Sequence, residues 1–302
     1  MVRVKVPATS ANMGPGFDSL GIAVSMYNTI ELTETDGGFT VVTGREKRVV
    51  PVNENNMIYK AMNIVFNEAG YTPSGIRISQ RSNIPVTRGL GSSSACIIGG
   101  MLGANVISGR PFKYDEILNM AAAMEGHPDN VTPALYGGFC TSVFDNGKVH
   151  FTTAKITEPI KIAVMFPDYP MPTREARKVV PDSFSKSDAV YNISRASMLV
   201  SALTLGKFDL LKVACDDRMH QKYRMSYISG AEDVFRVSYE YGAYATYLSG
   251  SGPTVVSFID DNNKSFSANV NKYFENNLNG WRCNVLTVDN VGAVVMESHR
   301  DN

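Results

Sequence analysis

The sequence predicts an α+β protein built from two lobes. The first third of the chain is rich in short strands, the second half begins with helices, and the end of the chain returns to strands. This order suits two α+β units, each with its own sheet. A loop punctuated by Pro167, Pro170 and Pro172 indicates a seam near residues 150–170. The 302 residues allow one large domain or two ordinary ones, and the 44% of hydrophobic residues can supply a core.

The elements before residue 150 follow from local patterns. Strands are predicted where residues are β-branched or alternate in polarity, and helices where apolar residues recur three and four positions apart. Gly70 and Gly109 suit the ends of the first two helices. The predicted elements are strands Val2–Val6, Gly21–Val24 and Thr29–Glu34, helix Asn56–Glu68, strand Ile76–Gln80, a helix from Ser92–Ser94 to Ser108, helix Lys113–Met124 and strand Phe139–Phe144.

The same rules place the elements of the second half. A strand precedes the proline loop, three helices follow it, and four strands end the chain. They are strand Ile160–Phe166, helices Ala189–Leu205, Phe208–Asp216 and Glu232–Gly242, and strands Ala243–Ser249, Thr254–Ile259, Asn284–Val288 and Val291–Met296.

Charge and hydropathy narrow the function classes. Lys and Arg total 29, as do Asp and Glu, so no basic field is available for a nucleic acid, and no nucleic-acid partner is expected. The N-terminus alternates apolar and basic residues, unlike a signal peptide. The longest apolar stretch, Ala95–Ala104, is broken by three glycines and is too short to span a bilayer. A cytoplasmic protein without a membrane partner is predicted.

The cysteines indicate no metal site of their own. Cys96, Cys140, Cys215 and Cys283 stand far apart, and no C-x-x-C pair occurs. They are expected to be buried small hydrophobic residues in a reducing compartment.

A glycine–serine run is the strongest functional signal. It follows a predicted strand and opens an apolar helix, so its glycines allow a tight turn and its serines stand where main-chain amides are unpaired. The helix dipole adds partial positive charge, which makes the run a candidate cradle for nucleotide phosphates. An ordinary serine N-cap after a glycine turn is the alternative. The run comprises Pro85, Val86, Thr87, Arg88, Gly89, Leu90, Gly91, Ser92, Ser93, Ser94 and Ala95.

Three further clusters carry polar chemistry. Pro7–Asp18 is rich in small residues and ends in a carboxylate. Glu125–Asn130 follows a predicted helix and offers Glu, His, Asp and Asn side chains. Leu248–Thr254 is a second glycine turn between two strands, which could close over a nucleotide's phosphates. Each cluster alone is also compatible with an ordinary loop, helix end or hairpin turn.

Taken together, these clusters resemble the GHMP kinases. The motifs are P-x-x-x-G-L-G-S-S from Pro85, P-A-x-x-A-N-x-G-x-G-x-D from Pro7 and S-G-S-G-P-T from Ser249. Within that superfamily, the full Pro7–Asp18 string and E-G-H-P-D-N from Glu125 are similar to the homoserine kinase family. The resemblance implies a two-lobed GHMP-kinase fold. Its N-terminal lobe, residues 1–158, would be ribosomal-protein-S5-domain-2-like, and its C-terminal lobe, residues 159–302, a ferredoxin-like α/β unit.

The resemblance also implies an activity and its cofactors. Homoserine kinases move the γ-phosphate of ATP to the side-chain hydroxyl of L-homoserine, and the product, O-phospho-L-homoserine, feeds threonine biosynthesis. The Pro85–Ala95 run would bind ATP, with Asn56 beside the purine. Ser93 and Glu125 would hold Mg²⁺.

The substrate chemistry assigns further residues. Thr173–Arg177 matches the family's T-x-x-A-R, and His220–Arg224 matches its H-Q-x-x-R. Arg177 and Arg224 would hold the substrate carboxylate, for which a guanidinium fork is well shaped. Asp18 would bind the ammonium. The remaining substrate-binding residues that the resemblance implies are Asn12, His127, Asn130, Thr173 and Gly250.

The predicted mechanism needs no general base. Mevalonate kinases and galactokinases have an aspartate for this purpose, whereas Asn130 occupies the corresponding region here, and an amide cannot take a proton at neutral pH. Catalysis by Asn12, Asn130 and Arg177 would then depend on positioning and charge neutralisation, which suits a loose phosphoryl-transfer transition state. Asp129 is the rival base.

Two alternative functions and the oligomeric state stay open. Another GHMP kinase of a small alcohol, such as a mevalonate-type enzyme, would also use arginines for a carboxylate. A non-catalytic metabolite sensor would keep the fold, although such proteins usually lose the phosphate loop, which is intact here. The resemblance further suggests a homodimer.

Overall fold

The computed structural model describes residues 1–43, 51–156, 159–171 and 173–297, without the side chains of residues 43, 173–175 and 297. The strands are β1 (Val2–Ala11), β2 (Leu20–Glu34), β3 (Gly38–Thr43), β4 (Gly75–Ser82), β5 (Phe139–Asp145), β6 (Lys148–Ala154), β7 (Ile160–Phe166), β8 (Ala243–Leu248), β9 (Val255–Asp260), β10 (Arg282–Leu286) and β11 (Val294–Glu297). The helices are α1 (Met57–Glu68), α2 (Ser92–Ile107), α3 (Tyr114–Glu125), α4 (Val131–Tyr136), α5 (Thr173–Lys178), α6 (Lys186–Thr204), α7 (Leu211–Ala214), α8 (Gln221–Met225), α9 (Ala231–Glu240) and α10 (Phe266–Asn277).

The first sheet is mostly antiparallel. Its main path runs β11-β1-β2-β4-β3, and β5 and β6 extend it from β2. Only the pairing of β3 with β4 is parallel among the described strands. The last strand, β11, pairs with β1, so the end of the chain returns to the first sheet. Apart from this strand, the first sheet ends with β6 at Ala154 and the second begins with β7 at Ile160. The predicted division after residue 158, which itself lies outside the described residues, stays a prediction.

The second sheet has the order β10-β7-β9-β8, with antiparallel pairing throughout. Helices α5 to α9 connect β7 to β8, and α10 connects β9 to β10. This strand order with two helical crossovers is the ferredoxin-like arrangement. The predicted two-lobed α+β fold is confirmed.

Helix α2 positions the glycine–serine run. Every residue from Ser94 to Asn105 is buried, as expected of a helix that is apolar on all sides. The helix packs against α1, β1 and β2. Burial on every side holds the loop at its N-terminus in one place.

The structure corrects two strand predictions near the N-terminus. The strand predicted at Val2–Val6 continues to Ala11, so five of the twelve residues of the Pro7–Asp18 cluster are strand rather than loop. The separate strands predicted at Gly21–Val24 and Thr29–Glu34 are one strand, β2. Pairing explains both differences, because β1 and β2 bond to each other from Val2 opposite Leu32 to Ala11 opposite Gly21.

Helix α10 is the largest element that the sequence patterns did not predict. It contains four asparagines, which have low helix propensity. Phe266, Val270 and Phe274 recur four residues apart, however, and all are buried. Burial of this apolar face outweighs the weak local preference. The elements β3, β6, α4, α5 and α8 were also not predicted, and the helix predicted at Phe208–Asp216 divides into a 3₁₀ turn and α7.

All four cysteines lie among the described residues and are buried, as expected, and none of them forms a disulfide bond. Burial raises the pKa of the Cys140 and Cys283 thiols to about 12, so both are neutral at physiological pH. In the part of the chain that the structure describes, no helix is both long and apolar enough to cross a membrane.

Candidate active site

The sequence motifs meet at one cavity of about 310 Å³. The loop after β1, the loop before α2 and the end of α3 form one part of its wall, and α5, α8 and the β8–β9 turn complete it. Both lobes therefore contribute. The predicted site residues in its wall are Asn12, Asp18, Asn56, Val86, Thr87, Arg88, Gly89, Gly91, Ser92, Ser93, Glu125, His127, Asn130, Arg177, Arg224 and Gly250.

Four predicted ATP-binding residues lie outside this wall as far as the structure describes it: Pro85, Leu90, Ser94 and Ala95. Leu90, Ser94 and Ala95 are buried, and Leu90 and Ala95 belong to the hydrophobic core. Their side chains are therefore packed inside the protein, and their contact with ATP stays a prediction. The side chain of Thr173 falls outside the described residues.

The loop before α2 turns on Gly91. This residue caps the helix in the left-handed conformation, with φ of 63°, and no side chain caps the helix with it. A Cβ placed there would lie 1.9 Å from Oγ1 of Thr9 in β1, so only glycine allows this approach. The amides of the first helical turn have no intrahelical partner. They stand at the cavity beside Ser92 and Ser93, as an anion cradle requires.

The second glycine turn holds this loop from the other lobe. The Ser249 hydroxyl donates to the Gly89 carbonyl at 2.6 Å, and the Thr254 amide donates to the Arg88 carbonyl at 3.2 Å. The β8–β9 turn therefore anchors the loop before α2. Its closure over the phosphates of a nucleotide stays a prediction.

The side chain of Arg88 also holds the loop before α2 in place. Its guanidinium donates to the carbonyls of Val86 and Pro167, each at 2.9 Å, and to that of Asp168. These bonds use the side chain on the protein's own backbone, so Arg88 supports the loop, and its contact with a nucleotide stays a prediction. Burial lowers the pKa of this guanidinium.

The structure brings together Ser93 and Glu125, the two predicted Mg²⁺ ligands. The Ser93 hydroxyl donates to Glu125 Oε2 at 2.9 Å, and the Ser94 hydroxyl donates to Oε1 at 3.2 Å. Ser93 and Glu125 face the cavity next to the loop amides. Hydroxyl and carboxylate oxygens beside a phosphate site are a donor set that suits Mg²⁺, which usually takes one or two protein ligands and completes its shell with phosphate and water.

Asn56 lines the cavity but uses its side chain on the fold. Its Oδ1 accepts from the amides of Ile58 at 2.9 Å and Tyr59 at 3.4 Å, which caps α1. Its Nδ2 donates to the Pro51 carbonyl at 2.8 Å. Asn56 would therefore contact a purine base by van der Waals packing, because its side-chain amide already bonds to the backbone.

Asn12 ties the loop after β1 to the second lobe. Its Nδ2 donates to the Gly250 carbonyl at 3.0 Å, and its Oδ1 accepts from the Asp18 amide at 3.0 Å. Asn12 and Asp18 both have left-handed backbones, with φ of 65° and 54°, which non-glycine residues adopt at a cost. The two hydrogen bonds stabilise this strained loop and aim the Asp18 carboxylate into the cavity.

Asp18 forms an ion pair with Arg177. Arg177 Nη2 lies 2.8 Å from Asp18 Oδ1, and Nη1 lies 3.2 Å from Oδ2. Both side chains are partly exposed at the cavity wall. The predicted ligands for the two opposite charges of one substrate are therefore paired with each other.

Arg224 is the second arginine of this region and is almost fully buried. Its Nε donates to the Ala176 carbonyl at 3.0 Å, and its Nη1 donates to the Gly250 carbonyl at 2.8 Å. Burial first, and the charge of Arg177 next, lower the pKa of Arg224 to about 10. The side chain thus stays cationic at neutral pH in the cavity wall.

A hydrogen-bonded chain links the remaining polar residues. The Thr9 hydroxyl donates to Asn130 Oδ1 at 2.8 Å, and Asn130 Nδ2 donates to Asp129 Oδ1 at 3.3 Å. Asp129 also bonds to His127 Nδ1. Burial lowers the pKa of His127, but the hydrogen bond to Asp129 and the surrounding carboxylate charges outweigh it, so this pKa is raised from its ordinary value.

The same end of the cavity is rich in negative charge. The nearest ligand atoms of Asp18, His127 and Asp129 lie within 4.8 Å of one another. Such a cluster offers a favourable position for a small cation, including an alkylammonium group.

Several residues of this region were not singled out as site residues from the sequence. Gln80 and Cys96 stand in the cavity wall, where Gln80 Nε2 lies 3.5 Å from Cys96 Sγ. Thr9 supports Asn130, and Phe17 lies 5.2 and 5.7 Å from the guanidinium carbons of Arg224 and Arg177. Thr9 and Phe17 belong to the Pro7–Asp18 cluster, but no local pattern indicates the contacts of these four residues, because tertiary packing creates them.

Comparison with known proteins places these motifs in a family. A family model for the GHMP kinases N terminal domain matches residues 56–138, and one for the GHMP kinases C terminal matches residues 199–276. A homoserine kinase of Clostridium beijerinckii is 45% identical over 98% of this chain and 99% of its own length. One of Clostridium botulinum is 44% identical with the same coverage. The crystal structure of a homoserine kinase from Cytophaga hutchinsonii matches with a TM-score of 0.86 and 27% identity, over 98% of this chain and 97% of that one.

Proposed function

The chain belongs to the GHMP kinases, where two relatives that match it over nearly their whole length are homoserine kinases, and from this premise we propose that it phosphorylates the side-chain hydroxyl of L-homoserine with ATP. The product is O-phospho-L-homoserine, an intermediate of threonine biosynthesis. One observation carries the proposal. A single cavity combines a helix N-terminus with a serine–glutamate pair and an arginine–aspartate group suited to an amino acid zwitterion.

ATP is assigned to the end of the cavity next to α2. The amides of the Gly89–Ser93 loop and the positive end of the α2 dipole would hold its phosphates. Ser93 and Glu125 would hold Mg²⁺, which neutralises charge on the phosphate oxygens. Their contact at 2.9 Å supports this assignment because it places both oxygens beside the loop.

L-Homoserine is assigned to the other end. Arg177 and Arg224 would bind its carboxylate, and Asp18 would bind its ammonium. The Asp18–Arg177 pair supports this arrangement, since a zwitterion supplies one opposite charge to each member when the pair opens. Asn12, His127 and Asn130 would then surround the hydroxyl, and Gly250 would close the wall.

The chemical step needs positioning more than proton abstraction. Asn130 is held by Thr9 and Asp129, and its amide cannot serve as a base. Asp129 is buried and already bonded to His127 and Asn130. We therefore assign Asp129 to the orientation of these two neighbours. The hydroxyl proton leaves late, to the transferred phosphoryl group, as a loose transition state allows.

Two further proposals do not depend on the cavity. From the family resemblance we propose that the protein is a homodimer, which light scattering on the purified chain would test. From the alternating N-terminus and the short apolar stretches of the sequence we propose that it acts in the cytoplasm.

A coupled assay of ADP release tests the function. L-Homoserine, mevalonate, galactose and shikimate are added in turn to the protein with Mg-ATP. The Ser93→Ala variant, in which phosphoryl transfer should be slowed, is the control. We expect ADP release with L-homoserine to exceed that with each other alcohol. Equal or faster release with mevalonate would reassign the substrate, and binding without any ADP release would indicate a sensor.

A further inference from the structure

His220 occupies a central place behind the cavity without lining it. It immediately precedes α8, its side chain is fully buried, and it bonds to two parts of the proposed substrate site. Its Nδ1 lies 3.2 Å from Arg224 Nη1, and its Nε2 lies 2.8 Å from the Gly14 carbonyl. One ring therefore connects the arginine of α8 to the loop that carries Asn12 and Asp18.

These two contacts fix the tautomer of the ring. A guanidinium nitrogen only donates, so Nδ1 must be the acceptor. A backbone carbonyl only accepts, so Nε2 must carry the proton. The neutral Nε2–H form satisfies both contacts, whereas a doubly protonated ring would place an N–H against the Arg224 cation.

The charges around the ring agree with this form. Asp217 Oδ2 lies 3.8 Å from Nε2, but it already accepts the amides of His220 and Gln221 at 2.8 and 2.7 Å. Burial, opposed by Asp217 and reinforced by the charge of Arg224, lowers the pKa of His220, with smaller opposing effects from Gly14 and Asp18.

The loop side of the ring is equally constrained. A Cβ placed on Gly14 would lie 2.1 Å from the Cys215 carbonyl oxygen, so the loop is pressed against the segment before α8. The Phe17 ring lies 5.4 Å from the His220 ring and also contacts both arginines of the cavity. A substitution at His220 would therefore displace residues assigned to the substrate more than residues assigned to ATP.

We propose that His220 is a positioning residue, which holds the Arg224 guanidinium ready for the substrate carboxylate by accepting its N–H at Nδ1 and anchors the Gly14 loop through Nε2–H. This inference rests on the proposed function, because it assigns Arg224 to the substrate. His220 itself touches no reacting atom.

Two amide substitutions separate the ring's two contacts. In His220→Asn, Oδ1 stands where Nδ1 stood and can still accept from Arg224. In His220→Gln, the amide nitrogen reaches the position of Nε2 and can still donate to Gly14, but the acceptor for Arg224 is lost. A hydrogen bond to a charged group is worth about 1.5–3 kcal/mol, so we expect His220→Gln to raise the KM for L-homoserine about tenfold or more. His220→Asn should raise it by clearly less, and the KM for ATP should stay within about twofold in both variants.

Equal KM values for L-homoserine in the two variants, or a matching rise in the KM for ATP, would overturn the proposal. The nitrogen-15 spectrum of the unaltered protein gives a test that needs no variant to fold. We expect an unprotonated Nδ1 and a protonated Nε2 for His220, and a protonated Nδ1 would overturn the proposal. Phosphorylation of L-homoserine by the unaltered enzyme tests the proposed function separately, since it does not depend on either variant.

Discussion

Asp18 and Arg177 hold each other through two parallel contacts, at 2.8 and 3.2 Å, across the mouth of the cavity. The residues come from different lobes, and each is assigned to the opposite charge of the substrate. The pair gives the site its charge pattern before a ligand enters. An amino acid zwitterion can replace both halves of the pair at once, whereas an uncharged alcohol would leave the pair intact.

Asp18→Asn should weaken substrate binding selectively. The variant loses the carboxylate for the ammonium group, and a charge-assisted hydrogen bond of about 1.5–3 kcal/mol corresponds to roughly a 10- to 100-fold rise in the KM for L-homoserine. The KM for ATP should change little. Steady-state kinetics with each substrate varied in turn measures both values.

Asp233→Asn is the matched control for this variant. Asp233 also pairs with an arginine at 2.9 Å, but the pair is exposed and does not line the cavity. This control should leave both KM values unchanged. If the two substitutions raised the KM for L-homoserine equally, Asp18 would act through the overall charge of the protein and not through contact with the substrate.

Ser93→Ala should lower kcat. The substitution removes the oxygen assigned to Mg²⁺, and loss of one preorganised transition-state group typically costs about 10²-fold or more. Ser94→Ala is the control, because Ser94 contacts the same carboxylate from a buried position. Its loss in kcat should be much smaller. Titration of Mg²⁺ should show a raised requirement in Ser93→Ala alone, and equal behaviour of the two variants would remove Ser93 from the metal site.

Gly91→Ala should destabilise the protein far more than Gly109→Ala. Both glycines have positive φ and flank the same helix, but a Cβ at Gly91 would meet Thr9, whereas at Gly109 nothing lies within 4 Å. Left-handed backbone alone costs about 1–2 kcal/mol, and the clash at Gly91 should add about 1–3 kcal/mol. Urea unfolding measures both. Similar free energies of unfolding would contradict the close approach of β1 to this loop.

Asp129→Asn tests the absence of a general base. A positioning role predicts a fall in kcat below about 10²-fold, because the amide keeps the shape and part of the hydrogen bonding of the carboxylate. A general base contributes about 10²–10⁴-fold. A fall of about 10³-fold or more, with intact binding of both substrates, would make Asp129 the base.

His127 should stabilise the fold most at acid pH. Asp129 and the nearby carboxylates outweigh burial and raise its pKa above the ordinary 6.5. A raised folded-state pKa means that the folded protein binds the proton more tightly, so this contribution is complete below the unfolded pKa and disappears as pH rises through the folded one. The difference in unfolding free energy between the unaltered protein and His127→Gln should therefore shrink as pH rises past 6.5. A constant difference would contradict the assigned His127–Asp129 interaction.

Local sequence was sufficient where function depends on neighbours along the chain. A few consecutive residues are enough to predict the turn at Gly91, the serines after it and the helix end at Glu125. The structure then brings Ser93 and Glu125 into contact. The loop between β8 and β9 was likewise correctly placed between two strands.

Contacts between distant segments could not be predicted in this way. His220 meets Gly14 across 206 positions, and Thr9 meets Asn130 across 121. Nothing in the spacing of Arg88 indicated that its guanidinium would bond to the backbone carbonyls of Pro167 and Asp168 in the other lobe. Such contacts depend on how the two sheets pack, and local propensity carries no information about that packing.

The central claim is that one cavity seats the phosphates of ATP at the start of α2 and L-homoserine at the arginine pair. A crystal structure with Mg²⁺, a non-hydrolysable ATP analogue and L-homoserine tests it most directly. We predict phosphate oxygens within hydrogen-bond distance of the Gly91–Ser93 amides, and the homoserine carboxylate on Arg177 and Arg224 with its ammonium on Asp18. Phosphates bound away from Ser92, or homoserine bound with its carboxylate remote from both arginines, would contradict the account.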